Sequence, residues 1–265
     1  MTPIAVTIGG SDASGGAGIQ ADLKTFSALG VYGASVITAI TAQNTKAVGA
    51  IHGVPAEFVA AQMDAVFSDL DIGAVKIGMV WRRDVIEAIA DRLVRWAQAK
   101  VVLDPVMLAS SGDALLATEA REALARVLCP RALVITPNLA EAAALLDAPI
   151  ARTEGEMREH GKRLLALGPQ AVLVKGGHGD GAQSVDFLAE PKRCTRFAAD
   201  RIAARNTHGT GCTLSSAIAA GLAKGLDLAE AVRTGKDFVT AALAAADKIK
   251  IGSGPGPVHH FHAIW

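Results

Sequence analysis

A cysteine follows directly on a glycine-rich turn in Asn206-Thr-His-Gly-Thr-Gly-Cys-Thr-Leu-Ser-Ser216, and helical sequence continues from there through Ala217 to Lys224. A turn of this kind at a helix start makes an anion site. Gly209 and Gly211 are expected to take tight, positive-φ conformations, leaving successive N–H groups aimed at one spot where the helix dipole favours negative charge. Cys212 would sit in that field, its pKa drawn below the usual value of about 8.5, fit to act as a base or nucleophile. The plainer alternative is a simple helix start with Cys212 as a small buried apolar group.

Other polar residues stand where apolar runs end. In Val101-Val-Leu-Asp-Pro-Val-Met107, Asp104 closes a strand and Pro105 turns the chain out of the sheet. In Ile135-Thr-Pro-Asn-Leu-Ala-Glu141, Asn138 can cap a helix with Glu141 at its third position. That spacing is read either as a capping box or as Asp104 and Glu141 together holding Mg²⁺ and its waters. Lys175 closes another strand before two glycines, a point cation suited to phosphate charge. Gln43 also follows a strand. Its carboxamide offers an acceptor beside donors, the complement of an aminopyrimidine edge, unless it is merely a polar loop residue.

The stretch Ile8-Gly-Gly-Ser-Asp-Ala-Ser-Gly-Gly-Ala-Gly18 is a second glycine-rich turn leading into a helix. No Gly-Lys-Ser/Thr follows at P-loop spacing and the dinucleotide fingerprint fits poorly, so close backbone approach to a small ligand is expected. Asp22, one turn into that helix, is either a ligand contact or a dipole-favoured surface acid. The tail His259-His260-Phe261-His262 is read as packing or surface rather than as a metal site, because no carboxylate or cysteine accompanies it.

The elements that must position these residues alternate. Short β-branched runs at 4–8, 35–41, 74–77, 101–103, 132–135 and 171–174 read as strands. Between them, 19–29, 56–70, 83–97, 118–128, 139–146 and 154–167 carry apolar residues at helical spacing. This βαβ order predicts a mainly parallel sheet between helices, with the ligand crevice at the carboxyl ends of the strands. After Lys175 the pattern changes to a hairpin over 184–188 and 195–197, then two final helices. The 265 residues are expected to form one domain, 1–265. Charge is balanced, 26 basic against 26 acidic residues, which argues against nucleic acid or an anionic membrane as partner. No run approaches the roughly 18 apolar residues of a membrane span, and the start lacks a signal-peptide pattern, so a cytoplasmic location is expected. Three scattered cysteines predict free thiols.

Together these residues resemble the ribokinase superfamily, and within it the hydroxymethylpyrimidine/phosphomethylpyrimidine kinases of thiamine biosynthesis. The resemblance rests on the blocks at 9–26, 41–45, 76–79, 103–107, 136–141, 175–178, 206–215 and 256–262, including Thr-Ala-Gln-Asn-Thr, Leu-Asp-Pro-Val-Met, Thr-Pro-Asn-Leu-Ala-Glu and Lys-Gly-Gly-His. It implies a ribokinase-like three-layer α/β/α sandwich with a mostly parallel central sheet, usually in a homodimer. It implies ATP along the Lys175 and Gly209–Cys212 side, with Gly177, Asn138 and Thr210 as further contacts, and Mg²⁺ at Asp104 and Glu141. It implies a pyrimidine read by Gln43, with Gly10, Asp22, Met79 and Val106 around the ring, and two successive phosphorylations. Cys212 stands where many superfamily members carry an aspartate base. A cysteine-type pyridoxal kinase and a non-catalytic pyrimidine or nucleotide sensor are the rival expectations. A lid is expected, if anywhere, near 178–181.

Overall fold

Strand alternation decides the layers. In each central strand successive side chains face opposite sides, so a short run apolar at every position must be covered on both. The computed structural model describes residues 1–107, 115, 118–177 and 181–265. Nine strands form one sheet: β1 (Ile4–Asp12), β2 (Tyr32–Gln43), β3 (Val48–Gly53), β4 (Ala74–Ile77), β5 (Val101–Leu103), β6 (Val134–Ile135), β7 (Ala171–Lys175), β8 (Gln183–Glu190) and β9 (Arg193–Asp200). Their order is β3-β2-β1-β4-β5-β6-β7-β8-β9, parallel from β2 to β7 and antiparallel at both edges.

Val6, Ile8, Val75, Ile77, Val101, Leu103, Val172 and Val174 face one side, under α2 (Ala56–Phe67), α3 (Arg83–Arg95), α5 (Leu139–Leu146) and α6 (Glu154–Leu164). The residues between them, Ala5, Ala74, Val102, Ala171 and Leu173, face the other side, under α1 (Gly18–Ala28), α7 (Thr210–Ala223) and α8 (Leu228–Ala244). A fully buried Ile8 or Leu103 contributes about 1.5–3 kcal/mol by leaving water. This is the expected three-layer α/β/α arrangement. Among the described residues no helix is long and apolar enough to cross a membrane.

The elements differ from expectation in several places, and both hairpin strands, β8 and β9, are longer than expected. β3 was not anticipated, because Val-Gly-Ala-Ile-His-Gly lacks alternation and becomes a strand only by pairing with β2. β1 and β2 run further than expected, through Asp12 and Gln43. β6 is two residues long instead of four. The helix expected over 118–128 is α4 (Thr118–Ala123) followed by a π-turn over Leu124–Leu128. The tail histidines pack: His259 and His260 are buried, and His260 Nε2 lies 3.1 Å from Thr213 Oγ1. No metal-binding cluster of three or more His, Cys, Asp or Glu occurs among the described residues. Of the expected lid, 178–180 fall outside those residues.

Candidate active site

The same alternation builds the site. Lys76 lies between Val75 and Ile77 and so faces α1 and α7, directly across from Thr7, its register partner in β1. Asp104, Thr136 and Lys175 continue the α7-facing positions of β5, β6 and β7. The sheet carries them that far: Asp104 N–H donates to Ile77 O, Thr136 N–H to Leu103 O and Lys175 N–H to Pro137 O. One row of polar side chains therefore lies at the carboxyl ends of four parallel strands, beneath the start of α7.

Two buried ion pairs organise this row. Asp22 is fully buried and accepts from Lys76 Nζ at 2.8 and 2.9 Å, from Thr7 Oγ1 at 2.6 Å and from Ser216 Oγ at 2.6 Å. It is no surface acid, because α7 closes over it. Lys175 Nζ lies 2.7 Å from Asp104 Oδ1 and 4.0 Å from Glu141 Oε2. Thr136 Oγ1 also donates to Asp104 Oδ1 at 3.0 Å, and Ser215 Oγ to Oδ2 at 3.2 Å. Asn138 caps α5, with Glu141 returning to its N–H at 2.7 Å, so the capping-box reading holds.

The two glycine turns meet. Gly209 caps α7 with φ 80°, and a side chain there would collide with the Gly16 carbonyl. Gly211, expected at positive φ, instead lies in the first helical turn. Its glycine brings the backbone close to the ion pair, since a Cβ would stand 3.3 Å from Lys175 Nζ and 3.7 Å from Asp104 Oδ2. Asp12 closes the first turn, accepting from Ser14 N, Gly16 N and Ala17 N, and meets His208 Nε2 at 2.8 Å. Gln43 lies against Thr41 and His208.

A cleft of about 800 Å³ runs along this row, and every residue singled out from the sequence lines it. Gly10, Gln43, Met79 and Val106 lie toward the β2 side, Gly177 toward β8, and Asp104, Lys175 and Cys212 between them. Sequence reasoning missed Asp12, Lys76 and His208 as site residues, along with the Lys236–Asp186 pair that holds the Gly176 N–H. A lysine inside the apolar strand Ala74-Val-Lys-Ile77 was the available signal for one of them.

A family model described as phosphomethylpyrimidine kinase matches residues 12–259. The chain belongs to the phosphomethylpyrimidine kinase family. The hydroxymethylpyrimidine/phosphomethylpyrimidine kinase of Rhizobium meliloti (strain 1021) is 60% identical over 100% of this chain and 99% of its own length. Among solved structures, Bacillus subtilis pyridoxal kinase in an ADP complex superposes with TM-score 0.92 at 36% identity, covering 99% of both chains. The phosphomethylpyrimidine kinase of Clostridium difficile 630 gives TM-score 0.80 at 45% identity, covering 90% of this chain and 98% of its own.

The electrostatics of this kinase correct one expectation outright. Burial pushes the Cys212 thiol up to about 11. Lys76 and the Gly18 N–H pull it down, but Asp22 and Asp104 add to the rise. The helix-start field is outweighed, and Cys212 is a neutral thiol at neutral pH. Burial opposes the charge on Lys76 and Lys175, yet their carboxylate partners outweigh it and raise both. Burial likewise opposes ionisation of Asp104, but Lys175 and Lys76 hold it below its ordinary value. Glu141 is lifted to about 7 by burial, against the pull of Lys175 and with the help of Asp104.

That donor set fits Mg²⁺. Asp104 and Glu141 offer hard carboxylate oxygens in one cleft, near enough that Asp104 helps to lift Glu141, and a cation with phosphate oxygens would relieve that repulsion.

Proposed function

We propose that this kinase transfers the γ-phosphoryl group of ATP to 4-amino-5-hydroxymethyl-2-methylpyrimidine, and then phosphorylates the monophosphate to the diphosphate. The observation that carries the reading is one cleft with Gln43 on its β2 side, Lys175 and Asp104 further along, and the Gly209–Cys212 turn between them. The pyrimidine lies against Gln43, Gly10, Met79 and Val106, above the buried Asp22. ATP lies over Asn138, Gly177, Thr210 and Lys175. Asp104 and Glu141 would hold Mg²⁺, which when bound supplies positive charge to the phosphates.

Phosphoryl transfer requires alignment and charge neutralisation more than covalent help. Lys175 meets the phosphate charge and the N–H groups of Gly211 and Cys212 receive the transferring oxygens. Cys212 takes the proton of the acceptor hydroxyl in its thiolate form, a minor species at neutral pH that grows as pH rises, for a contribution on the order of 10²- to 10⁴-fold. The second acceptor is already an ionised phosphate, so that step draws less on the thiol. The protein works as a single domain in the cytoplasm, as a homodimer, and needs neither nucleic acid nor membrane.

The test is MgATP turnover with the hydroxymethylpyrimidine, its monophosphate and pyridoxal as parallel acceptors, with products followed by mass. Diphosphate formation supports the reading. The likeness to a pyridoxal kinase makes pyridoxal the alternative acceptor, and turnover of pyridoxal alone would overturn the pyrimidine assignment. No turnover with any acceptor would point to a binding protein.

A further inference from the structure

Counting hydrogen-bond donors around Gln43 decides which way its carboxamide faces. Thr41 Oγ1 lies 2.8 Å from Ser11 O and 3.1 Å from Gln43 Oε1, but a hydroxyl has one proton to give. On the other side Gln43 Nε2 lies 3.5 Å from His208 Nε2. That imidazole nitrogen is also 2.8 Å from Asp12 Oδ2. Burial opposes the Asp12 charge, but His208, Ser14 and the Ala17 N–H hold the carboxyl well below the usual range, so it is an acceptor only. His208 Nε2 therefore carries the proton. In this arrangement the Gln43 nitrogen meets another donor, and the one Thr41 proton is claimed twice.

A half-turn of the carboxamide about its last torsion exchanges two atoms of nearly equal size and removes both conflicts. Thr41 donates to Ser11 O and accepts from the amide N–H. His208 Nε2–H, given to Asp12 at 2.8 Å, then has an amide oxygen instead of a second N–H beside it at 3.5 Å. We propose that Thr41 and the Asp12–His208 pair lock the Gln43 amide with its nitrogen toward Thr41 and its oxygen toward His208, and that this lock makes the pocket select a ring bearing an amine beside a ring nitrogen.

The inference rests on the function proposed above and names its specificity determinants. The locked amide keeps one N–H and one oxygen lone pair for the ligand. The ring amine is placed on the His208 side and the ring nitrogen on the Thr41 side. A ring with a carbonyl in place of the amine sets acceptor against acceptor, and the amide cannot turn to meet it without losing its bond to Thr41 and setting its N–H against that of His208. Thr41 and His208 act through Gln43 as positioning residues.

The test compares Thr41→Val, which keeps the shape and loses the hydroxyl, with Thr41→Ser, which keeps the hydroxyl. Values of kcat and KM are measured for 4-amino-5-hydroxymethyl-2-methylpyrimidine and for its 4-oxo analogue, with KM for MgATP as reference. Thr41→Val is expected to raise KM for the aminopyrimidine about 10-fold, with kcat and the MgATP KM changed by less than about threefold. Its preference for the amine over the oxo analogue should narrow by a similar factor, and Thr41→Ser should restore both. Thr41→Ala gives the same readout should the valine variant fold poorly. An unchanged preference, or a parallel rise in KM for both pyrimidines and MgATP, would overturn the lock while leaving the enzyme's function standing. Wild-type enzyme that phosphorylated pyridoxal and neither pyrimidine would overturn the functional reading itself, before any variant is made.

Discussion

Lys175 Nζ lies 2.7 Å from Asp104 Oδ1, tying the carboxyl ends of β5 and β7 across the intervening β6. Both side chains are nearly buried, 11% and 2% exposed, so removing one strands the other's charge. Lys175→Met is expected to cost about 3–5 kcal/mol of stability in denaturant unfolding and about 10²- to 10³-fold in kcat. Adding Asp104→Asn should recover most of the stability and none of the rate. A Lys175→Met enzyme with near-normal turnover would remove this lysine from the phosphate site.

The Lys76–Asp22 pair is buried more deeply and supports Cys212 as well as the fold. Lys76→Met should cost about 3–5 kcal/mol by leaving Asp22 charged without its cation, and Asp22→Asn in the same chain should restore much of it. Lys76 pulls the Cys212 thiol down and Asp22 pushes it up, so Lys76→Met should show Cys212 alkylated only at higher pH than in the wild type, and the Lys76→Met, Asp22→Asn protein should lie between the two. An unchanged alkylation profile would disconnect the two residues.

Cys212 held at about 11 gives a pH signature. The first phosphorylation should rise with pH, with log kcat climbing at a slope near one from about pH 7 to pH 9, as the thiolate fraction grows. Cys212→Asp should flatten it, and Cys212→Ala should damage the first step more than the second. Because the folded thiol ionises later than the unfolded one, whose ordinary value is 9.0, its contribution to stability is lost as pH rises above that value. Equal losses in both steps for Cys212→Ala would contradict the proton-acceptor role.

His260 controls stability at the acid end. Burial lowers it from 6.5 to about 4, with Lys24, His259 and His262 adding to the effect. The unfolded chain takes up this proton first. Stability is therefore present in full above about pH 6.5 and is lost as pH falls toward 4, by up to about 3 kcal/mol. His260→Phe should make the fall in Tm between those values shallower, and an identical slope would place the acid sensitivity elsewhere.

The layers and the place of the site were legible in the order of the residues alone. Runs such as Val101-Val-Leu103 must be covered on both faces, and their spacing with helical segments leaves a parallel sheet whose carboxyl ends carry Asp104, Asn138 and Lys175. Gly209 was legible for a physical reason too, since a helix start that crosses another backbone turn at positive φ admits nothing larger. The rest depends on distances through space between residues far apart in the chain. Asp22 has two readings in the sequence, ligand contact or surface acid, because nothing local shows that Lys76 and Ser216 close over it. The Cys212 thiol was expected below its ordinary value from its helix position, but burial together with Asp22 and Asp104 outweighs the helix field and Lys76. β3 could not be read from its own residues because its hydrogen bonds belong to β2. His208 gained its meaning only when the glycine turn at 206–212 was brought against Asp12, 196 residues earlier, where the shared proton sets which atom of the neighbouring amide can face it.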